Sequence, residues 1–526
     1  MGQQPGSVTR RASTRVLSPK PGVAFVFGTI AIQRGGVTRA VLSRAKLYAE
    51  ADIPVRLLLT GFGHYEDREA TEIRRIWQLP DSLEIRYFWR EAAPGGGGFA
   101  KDPVAEAYAD RHLVPVRVSS DVLECYRDGM LDRTIRFDRD QLVQAVTWFD
   151  QAHRAIARDN FDIQGNLVFA EHVAPDRGRA IYRRWFDADG RCWLTTWLSR
   201  AGSPTRAVRH LPAAVAYDHL GDCIAEWVND ATSDWPHAVL MVDGRQLDPV
   251  LLNFGEGDAK TVATLHNCHT QSPYTSEDPT KASYRPLFSN IDKVDAVVTL
   301  THRQRDDIAE RTGATNLRVI NHGTPKVQIT NPPRQSGLLV AISRFDEQKR
   351  LDHAIRAFAQ AAAHLPDARF HIYGKGAQER QLRALIQNLE MTDRMILSGF
   401  TDRPLEVFAG ATATILSSVF EGLPLVLTEA MSVGTPFVAY DVNYGPSEVI
   451  RDGVDGLLVP PGDIDALAQA LIRVLGDDDY AARLGSHARE VTDRFSTDRW
   501  AAGWLDLYDQ FAGTSISAGQ QTSSPR

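Results

Sequence analysis

Cysteine is scarce in this 526-residue chain, which has four cysteines and no C-x-x-C pair. A zinc ribbon or a disulfide framework is therefore not expected, and reduced thiols in a cytoplasmic protein are the simpler interpretation. A run of about 18 apolar residues is also missing, so the sequence predicts no helix that spans a membrane. Apolar residue types still make up 43% of the chain, which is typical of a globular protein with more than one core.

An excess of positive charge is missing as well. The chain has 59 Lys and Arg against 66 Asp and Glu, a net charge of −7. Nucleic-acid binders obtain much of their affinity from basic residues that neutralise phosphates, so this balance argues against a nucleic-acid partner. The basic segment 1–20 has too few cations, without a second anchor, for more than peripheral contact with a membrane.

The first parallel sheet is predicted from continuous apolar runs that alternate with helical patterns. Such runs are typical of strands that are buried on both faces. They occur at 23–27, 54–59, 238–242, 262–265 and 296–300. They predict a doubly wound, Rossmann-like domain made of residues 21–60 and 236–330, which follows a disordered basic tail at 1–20.

The intervening segment, 61–235, has a different pattern of short, aromatic-rich strands with turn signals. Asp189-Gly190 lies between two aromatic runs, which is a strong signal for a hairpin. We interpret 61–235 as an antiparallel β-rich insertion in the first domain. Large aromatic surfaces suit glycans and protein partners, so the insertion is a candidate for acceptor binding or for homo-oligomer contacts.

A second doubly wound domain is predicted at 331–495, where strands and helices alternate regularly. A helix at 498–511, within the segment 496–512, is expected to pack back on the first domain, before a disordered tail at 513–526. The predicted fold class is therefore α/β, with two parallel-sheet domains facing a cleft. Ligands of such sheets bind beyond the carboxyl ends of the strands.

Two cations surround a short loop after the first strand of the second domain. Arg344 can make a forked contact and Lys349 can act as a point charge, a combination that suits a diphosphate. The alternative is a solvated basic surface.

Two carboxylates follow at a glycine loop and on the helix after it. Glu421 opens the loop, and Glu429 lies on an otherwise apolar helix that begins near Pro424. Backbone N–H groups at such a helix start favour an anion. A carboxylate within an apolar helix requires a partner, either ribose hydroxyls or a local arginine.

The first domain contributes a glycine pair and a histidine. Gly35 and Gly36 follow the first strand, where glycine permits close approach of the backbone to a ligand or forms a plain turn. His266 directly follows a strand and is expected to make hydrogen bonds in the cleft.

No metal site and no cofactor are predicted. His266, Cys268 and His269 include ligand types, but no distant cluster of ligands accompanies them. Asp187-Ala188-Asp189 lies at a hairpin tip, where Asp is a turn residue.

The ordered motifs of the second domain resemble those of retaining, family-4-type glycosyltransferases of GT-B fold. They are Ser343-Arg344 with Lys349, Tyr373-Gly374-Lys375-Gly376, Gly399-Phe400, Glu421-Gly422-Leu423-Pro424 with Glu429, and Asp455-Gly456-Leu457-Leu458-Val459. The insertion, with Tyr444-Gly445-Pro446, resembles the branch of poly(glycerol-phosphate) α-glucosyltransferases and the wall teichoic acid α-N-acetylglucosaminyltransferase.

The resemblance implies a retaining, metal-independent transfer of glucose or N-acetylglucosamine from a UDP-sugar to a hydroxyl of a polyol-phosphate polymer or another glycan. It implies that Arg344 and Lys349 hold the donor diphosphate, whose departing phosphate deprotonates the acceptor. It also implies that Glu421 and His266 contact the donor sugar and that Glu429 contacts the ribose. The remaining donor-binding positions that it implies are Gly35, Gly36, Gly399, Phe400, Gly422 and Leu423.

Two other interpretations remain open from the sequence. A nucleotide-sugar epimerase or a phosphorylase has the same architecture, although no lysine is a convincing candidate for a pyridoxal-phosphate site. A non-catalytic glycan-binding or assembly subunit is the other, and the joint presence of Arg344, Lys349, Glu421 and Glu429 disfavours it.

Overall fold

The structure, a computed structural model, describes residues 20–29, 35–235, 237–255, 259–327 and 333–513. The two predicted tails, 1–20 and 513–526, lie outside these residues except for Lys20 and Gly513. Three sheets organise the described residues: one of seven strands, one of eleven and one of six. None of the described helices is long and apolar enough to cross a membrane.

The first part of the chain builds one half of the seven-stranded sheet. Its elements are β1 (Val23–Phe27), α1 (Gly36–Glu50), β2 (Val55–Leu59), α2 (Glu66–Trp77), β3 (Glu84–Tyr87), α3 (Phe88–Glu91), β4 (Phe99–Ala100) and α4 (Pro103–Ala109). Strand β3 pairs in parallel with β2, so the predicted insertion 61–235 includes one strand of the first sheet. As an edge strand β3 is only partly buried, and it therefore lacks the continuous apolar run of the central strands.

The inserted sheet is antiparallel and joins strands that are consecutive in the chain. They are β5 (Leu113–Ser119), β6 (Val122–Arg127), β7 (Met130–Phe137), β8 (Val143–Phe149), β9 (Ala155–Phe161), β10 (Asn166–Ala174), β11 (Arg179–Phe186), β12 (Cys192–Leu198), β13 (Pro204–Arg209) and β14 (Val215–Tyr217). The short β4 completes it by pairing with β10. At the tip between β11 and β12, Asp187 accepts hydrogen bonds from the backbone N–H groups of Asp189 and Arg191.

The chain then returns to the seven-stranded sheet. The elements are α5 (Leu220–Thr232), β15 (Val239–Val242), α6 (Asp248–Leu252), β16 (Lys260–Thr264), α7 (Arg285–Phe288), β17 (Ala296–Thr299), α8 (His302–Thr312) and β18 (Leu317–Val319). The strand order is β18-β17-β16-β15-β1-β2-β3, and every pair is parallel. Residues that follow β1, β15 and β16 therefore lie at the same edge of the sheet.

The second domain is the six-stranded parallel sheet, in the order β21-β20-β19-β22-β23-β24, with helices around it. Its elements are β19 (Gln335–Ile342), α9 (Leu351–Ala362), β20 (Arg369–Tyr373), α10 (Glu379–Asn388), β21 (Met395–Gly399), α11 (Pro404–Ala409), β22 (Ala411–Leu416), α12 (Leu425–Ser432), β23 (Phe437–Tyr440), α13 (Pro446–Val449), β24 (Gly456–Val459), α14 (Ile464–Leu475), α15 (Asp478–Ala488), α16 (Val491–Arg494) and α17 (Thr497–Ala512). A 3-10 turn, Glu347–Lys349, joins β19 to α9.

The last helix crosses from the second domain to the first. Trp504, Leu507 and Tyr508 of α17 are buried in the hydrophobic core of the first domain. The Tyr508 hydroxyl donates to the Pro21 carbonyl at 2.8 Å, and Tyr48 of α1 donates to the Trp504 carbonyl at 3.0 Å. Helix α17 thus ties the two domains together on the side of α1.

Candidate functional site

The start of α12 is the point where the two domains meet. A Cβ atom added to Gly422, just before α12, would lie 2.2 Å from the His266 carbonyl oxygen at the end of β16. A Cβ atom on Gly36, at the start of α1, would lie 3.3 Å from Cδ1 of Leu425. The structure therefore brings the predicted residues Gly36, His266 and Gly422 together around one helix start.

Glu421 and Lys349 form a close ion pair at this point. The Lys349 Nζ donates to Glu421 Oε1 at 2.6 Å, and the two side chains are only 14% and 8% exposed. The Gln348 side-chain amide donates to the Phe420 carbonyl at 3.0 Å and lies 3.5 Å from Glu421 Oε2. A carboxylate so shielded from water needs its cationic partner, so Lys349 fixes the position of Glu421.

Arg344 lies near this pair but is not bound to it. Its side chain is 68% exposed and pairs with Asp346 at 2.8 Å, while Gln348 Oε1 lies 3.5 Å from its guanidinium. Gln348 therefore bridges Arg344 and Glu421. Gln348 was not among the predicted site residues, although it lies between the two predicted cations.

Glu429 is held by an arginine of the other domain. Arg39 of α1 donates to Glu429 Oε1 at 2.6 Å across the cleft, and its side chain is 52% exposed. Both residues line a cavity of about 320 Å³, together with Thr324, Leu405 and Thr428. Arg39 was also missed; its position in the first turns of α1, after the glycine pair, is the signal that could have found it.

His266 is oriented by a buried carboxylate. Its Nε2 lies 2.6 Å from Asp243 Oδ2, and the same carboxylate pairs with Arg44, which in turn donates to the Thr264 hydroxyl at 3.0 Å. Burial acts to raise the pKa of Asp243, but Arg44 and His266 hold it well below its usual range. Asp243 therefore stays ionised. Asp243 follows β15 directly, and His266 follows β16 after one intervening residue. This position at the end of a strand was the overlooked signal for Asp243.

A second histidine stacks against His266. The ring centroids of His266 and His322 lie 5.9 Å apart, at an angle of 15°. Burial, together with the nearby His266 and Arg44, lowers the pKa of His322 to about 3. His322 is therefore neutral at pH 7, and Asp243 remains the charged partner of His266.

The other predicted positions differ in exposure. Gly399 ends β21 with a φ of 75° and accepts a hydrogen bond from the backbone of Gly374 at 2.8 Å. Phe400 is 58% exposed, whereas Leu423 is buried in the second domain. None of the described residues would come within 4 Å of a Cβ atom added to Gly35. Leu423 thus anchors its loop in the core, while Phe400 is open to solvent.

The described residues contain no group of three or more His, Cys, Asp or Glu that could hold a metal ion. All four cysteines are free. His269 is fully buried among the rings of Tyr284, Phe288 and Tyr444, and burial, with Arg311 and Lys281 nearby, lowers its pKa to about 3.

Comparison with known proteins identifies the second domain. The family model described as glycosyl transferases group 1 matches residues 325–491. Residues 325–491 are a group 1 glycosyltransferase domain. This glycosyltransferase domain contains all four charged residues of the predicted motifs, Arg344, Lys349, Glu421 and Glu429.

Individual relatives extend the similarity beyond this domain. The poly(ribitol-phosphate) alpha-N-acetylglucosaminyltransferase of Staphylococcus aureus is 23% identical over 492 residues, which cover 91% of this chain and 97% of that protein. An exopolysaccharide phosphotransferase of Streptomyces coelicolor is 39% identical over 228 residues; the match covers 43% of this chain and 24% of that protein, so about a quarter of its length is shared.

A solved structure supports the whole architecture. A mutant of S. aureus TarM, crystallised with fondaparinux, alpha-GlcNAc-glycerol and UDP, superposes with a TM-score of 0.79 at 19% identity, covering 93% of this chain and all of the other. The predicted GT-B fold and the resemblance to the wall-polymer branch are confirmed. The chain is an enzyme of the glycosyltransferase class.

Proposed function

We propose that this glycosyltransferase moves glucose or N-acetylglucosamine, with retention of configuration, from a UDP-sugar to a hydroxyl of a polyol-phosphate wall polymer or a related glycan. The observation that carries the proposal is the meeting of Lys349, Glu421 and His266 at the start of α12, between the two domains. The name of the S. aureus relative and the UDP and alpha-GlcNAc-glycerol bound to TarM support the choice of donor and acceptor.

The donor diphosphate would bind to two cations that already have carboxylate partners, Glu421 for Lys349 and Asp346 for Arg344. An ammonium has three donors, so Lys349 can keep Glu421 and still bind a phosphate. Arg344 is exposed and can exchange Asp346 for a second phosphate oxygen. Two fixed cations stabilise the negative charge that grows on the leaving group, which is the work a metal ion would otherwise do.

The proposed reaction needs no protein nucleophile. The bond between the sugar C1 and the phosphate oxygen breaks, and its electron pair leaves with UDP. The acceptor oxygen bonds to C1 from the same face and passes its proton to the departing phosphate. Glu421 suits a different role, binding of sugar hydroxyls, because Lys349 holds one of its carboxylate oxygens and the other can still accept a hydrogen bond.

The test uses UDP-N-acetylglucosamine and UDP-glucose with a polyol-phosphate acceptor in the presence of EDTA. We expect Lys349→Ala and Arg344→Ala to lower kcat by roughly 100-fold or more, the usual effect of removing a group that stabilises developing charge. Arg383→Ala, which removes an exposed ion pair on α10, is the matched control and should keep full activity. Normal turnover in either folded site variant, loss of activity in EDTA, or an inverted product anomer would contradict the proposal.

Three further predictions accompany this function: cytoplasmic location, at most peripheral membrane contact, and homo-oligomerisation through the inserted sheet. Sedimentation of the purified protein, alone and with anionic vesicles, tests the second and third.

A further inference from the structure

One face of the inserted sheet has a continuous row of side chains that crosses six strands. Each member is the direct cross-strand partner of the next, from β7 to β12. The row is Arg133, Trp148, Ala157, His172, Tyr182 and Trp197. Because neighbouring strands lie about 4.8 Å apart, the row is roughly 24 Å long. We call these six residues the aromatic track.

Cations lie against the rings at both ends of the aromatic track. The Arg133 guanidinium lies 4.2 Å from the ring centroid of Trp148, and the Arg206 guanidinium lies 4.5 Å from that of Trp197. Between them, His172 and Tyr182 stack with centroids 4.3 Å apart and planes at 15°. Arg133 is buried and pairs with Asp132, whereas Arg206 is exposed. The track therefore offers aromatic rings at its centre and an accessible positive charge at the Arg206 end.

A cavity of about 390 Å³ opens at Ala157, the smallest side chain of the track. Its floor includes two small residues: Ala157, which lies between Trp148 and His172 in the row, and Ala170, two residues before His172 on β10. Ala170 and Arg184 are direct cross-strand partners, so the Arg184 side chain lies beside this floor. Small residues between aromatic walls leave room for a chain to lie across the sheet.

The charges that line the cavity favour an anion. Asp159 is neutralised by Lys101 at 3.5 Å and accepts a hydrogen bond from Trp148 Nε1 at 3.1 Å. Burial, with Arg184 nearby, lowers the pKa of His172, so this ring is neutral at pH 7. Because Lys101 and Asp159 offset each other, the solvent-exposed Arg184 leaves the cavity lining with a net positive charge.

We propose that the aromatic track and its cavity bind a phosphodiester-linked polyol chain, and so hold the acceptor polymer on the inserted sheet away from the transfer site. This proposal rests on the proposed function and names the surface that its acceptor occupies. Rings of Trp148, Tyr182 and Trp197 pack against the polyol carbons, while the exposed Arg206 at one end and Arg184 beside the floor bind phosphates. The straight, elongated shape of the row matches a linear polymer better than a globular partner.

The test compares two charge reversals on opposite faces of the same sheet. Arg184→Glu places a negative charge beside the cavity. Arg158→Glu, the control, changes a half-exposed arginine on β9 next to Ala157, whose side chain points to the other face, toward Glu171. The probe is a poly(glycerol phosphate) oligomer, titrated calorimetrically into the full chain with UDP present.

We expect Arg184→Glu to weaken binding of the oligomer by roughly tenfold or more, because like charges repel across a binding surface, and to lower its salt dependence. Arg158→Glu should change binding by less than about twofold, the small effect of an exposed pair. Transfer to a single glycerol-phosphate unit and the affinity for UDP should be unchanged in both variants.

Three outcomes would overturn the proposed role of the aromatic track. They are equal oligomer affinity in Arg184→Glu and the unmodified enzyme, an equal loss of affinity in the control, and equally tight binding of a neutral glycan of the same length. These outcomes leave transfer to the single unit intact and so differ from failure of the proposed function, in which neither acceptor is glycosylated.

Discussion

At the scale of single residues, the two carboxylates of the site are held in different ways. Glu421 pairs with Lys349 of its own domain, and both side chains are largely buried. Glu429 pairs with Arg39 of the other domain, and half of the arginine side chain is exposed. Removing one partner of a buried pair is costly, whereas an exposed pair exchanges easily. The first pair is thus a fixed part of the site and the second is exchangeable.

Arg39→Ala tests whether Glu429 binds the donor ribose. If it does, Arg39 competes with the nucleotide, and its removal should tighten UDP binding about 1.4- to fivefold, the equivalent of the 0.2–1 kcal/mol of an exposed ion pair. Calorimetric titration with UDP measures the change. In a Glu429→Ala background, Arg39→Ala should have no further effect. Weaker UDP binding in the single variant would contradict this and would make Arg39 a phosphate ligand.

At the scale of secondary structure, the sequence predicts what depends on local pattern. Central parallel strands such as β1 and β22 are buried on both faces, so their apolar runs identify them. The charged motifs are found because they follow such strands. The edge strand β3 was placed in the insertion because partial burial removes that signal.

The site residues that were not predicted from the sequence acquire their roles through contacts between distant segments. Arg39 acquires its role from Glu429, 390 residues away, and Asp243 from Arg44 on another element. The aromatic track depends on strand register, and a register shift between His172 and Val173 shows that residue spacing alone does not give that register. Pairing between strands has to be known before one face of a sheet can be described.

Gly422→Ala tests the contact between the loop before α12 and the end of β16. The added Cβ would lie 2.2 Å from the His266 carbonyl oxygen, which is backbone and cannot rotate away. We expect the loop to move from His266 and kcat/KM to fall by about 100-fold, since a 1 Å displacement in a catalytic site has effects of this size.

Gly28→Ala is the matched control for this substitution. Gly28 follows β1, and none of the residues that the structure describes comes within 4 Å of a Cβ atom added there. Circular dichroism should show both variants folded, with activity lost only in Gly422→Ala. Unchanged kcat/KM in Gly422→Ala would show that this close approach has no part in the reaction.

At the scale of the whole molecule, the two domains are joined by polar contacts near buried rings. The Tyr444 hydroxyl donates to Asp307 at 2.7 Å, and Glu448 accepts from the His302 backbone at 2.7 Å. Tyr444 also stacks on His269, with centroids 5.8 Å apart and planes at 8°. His269 belongs to the first domain and Tyr444 to the second, so the protonation of His269 bears directly on their association.

His269→Phe should make the enzyme more stable toward acid. In the folded chain the pKa of His269 is lowered from 6.5 to about 3, mainly by burial, so the unfolded chain binds its proton first as the pH falls. Stability from this group is nearly complete at pH 7 and is lost as the pH falls through 6.5, by about 2 kcal/mol between pH 7 and pH 5. Phenylalanine keeps the ring, and no described residue forms a hydrogen bond with either nitrogen of His269.

Urea unfolding of His269→Phe should therefore show a smaller fall in stability from pH 7 to pH 5, while His364→Gln, at an exposed site, should follow the unmodified enzyme. An acid limb that is equally steep in His269→Phe would mean that this histidine is not neutral in the folded chain at pH 5.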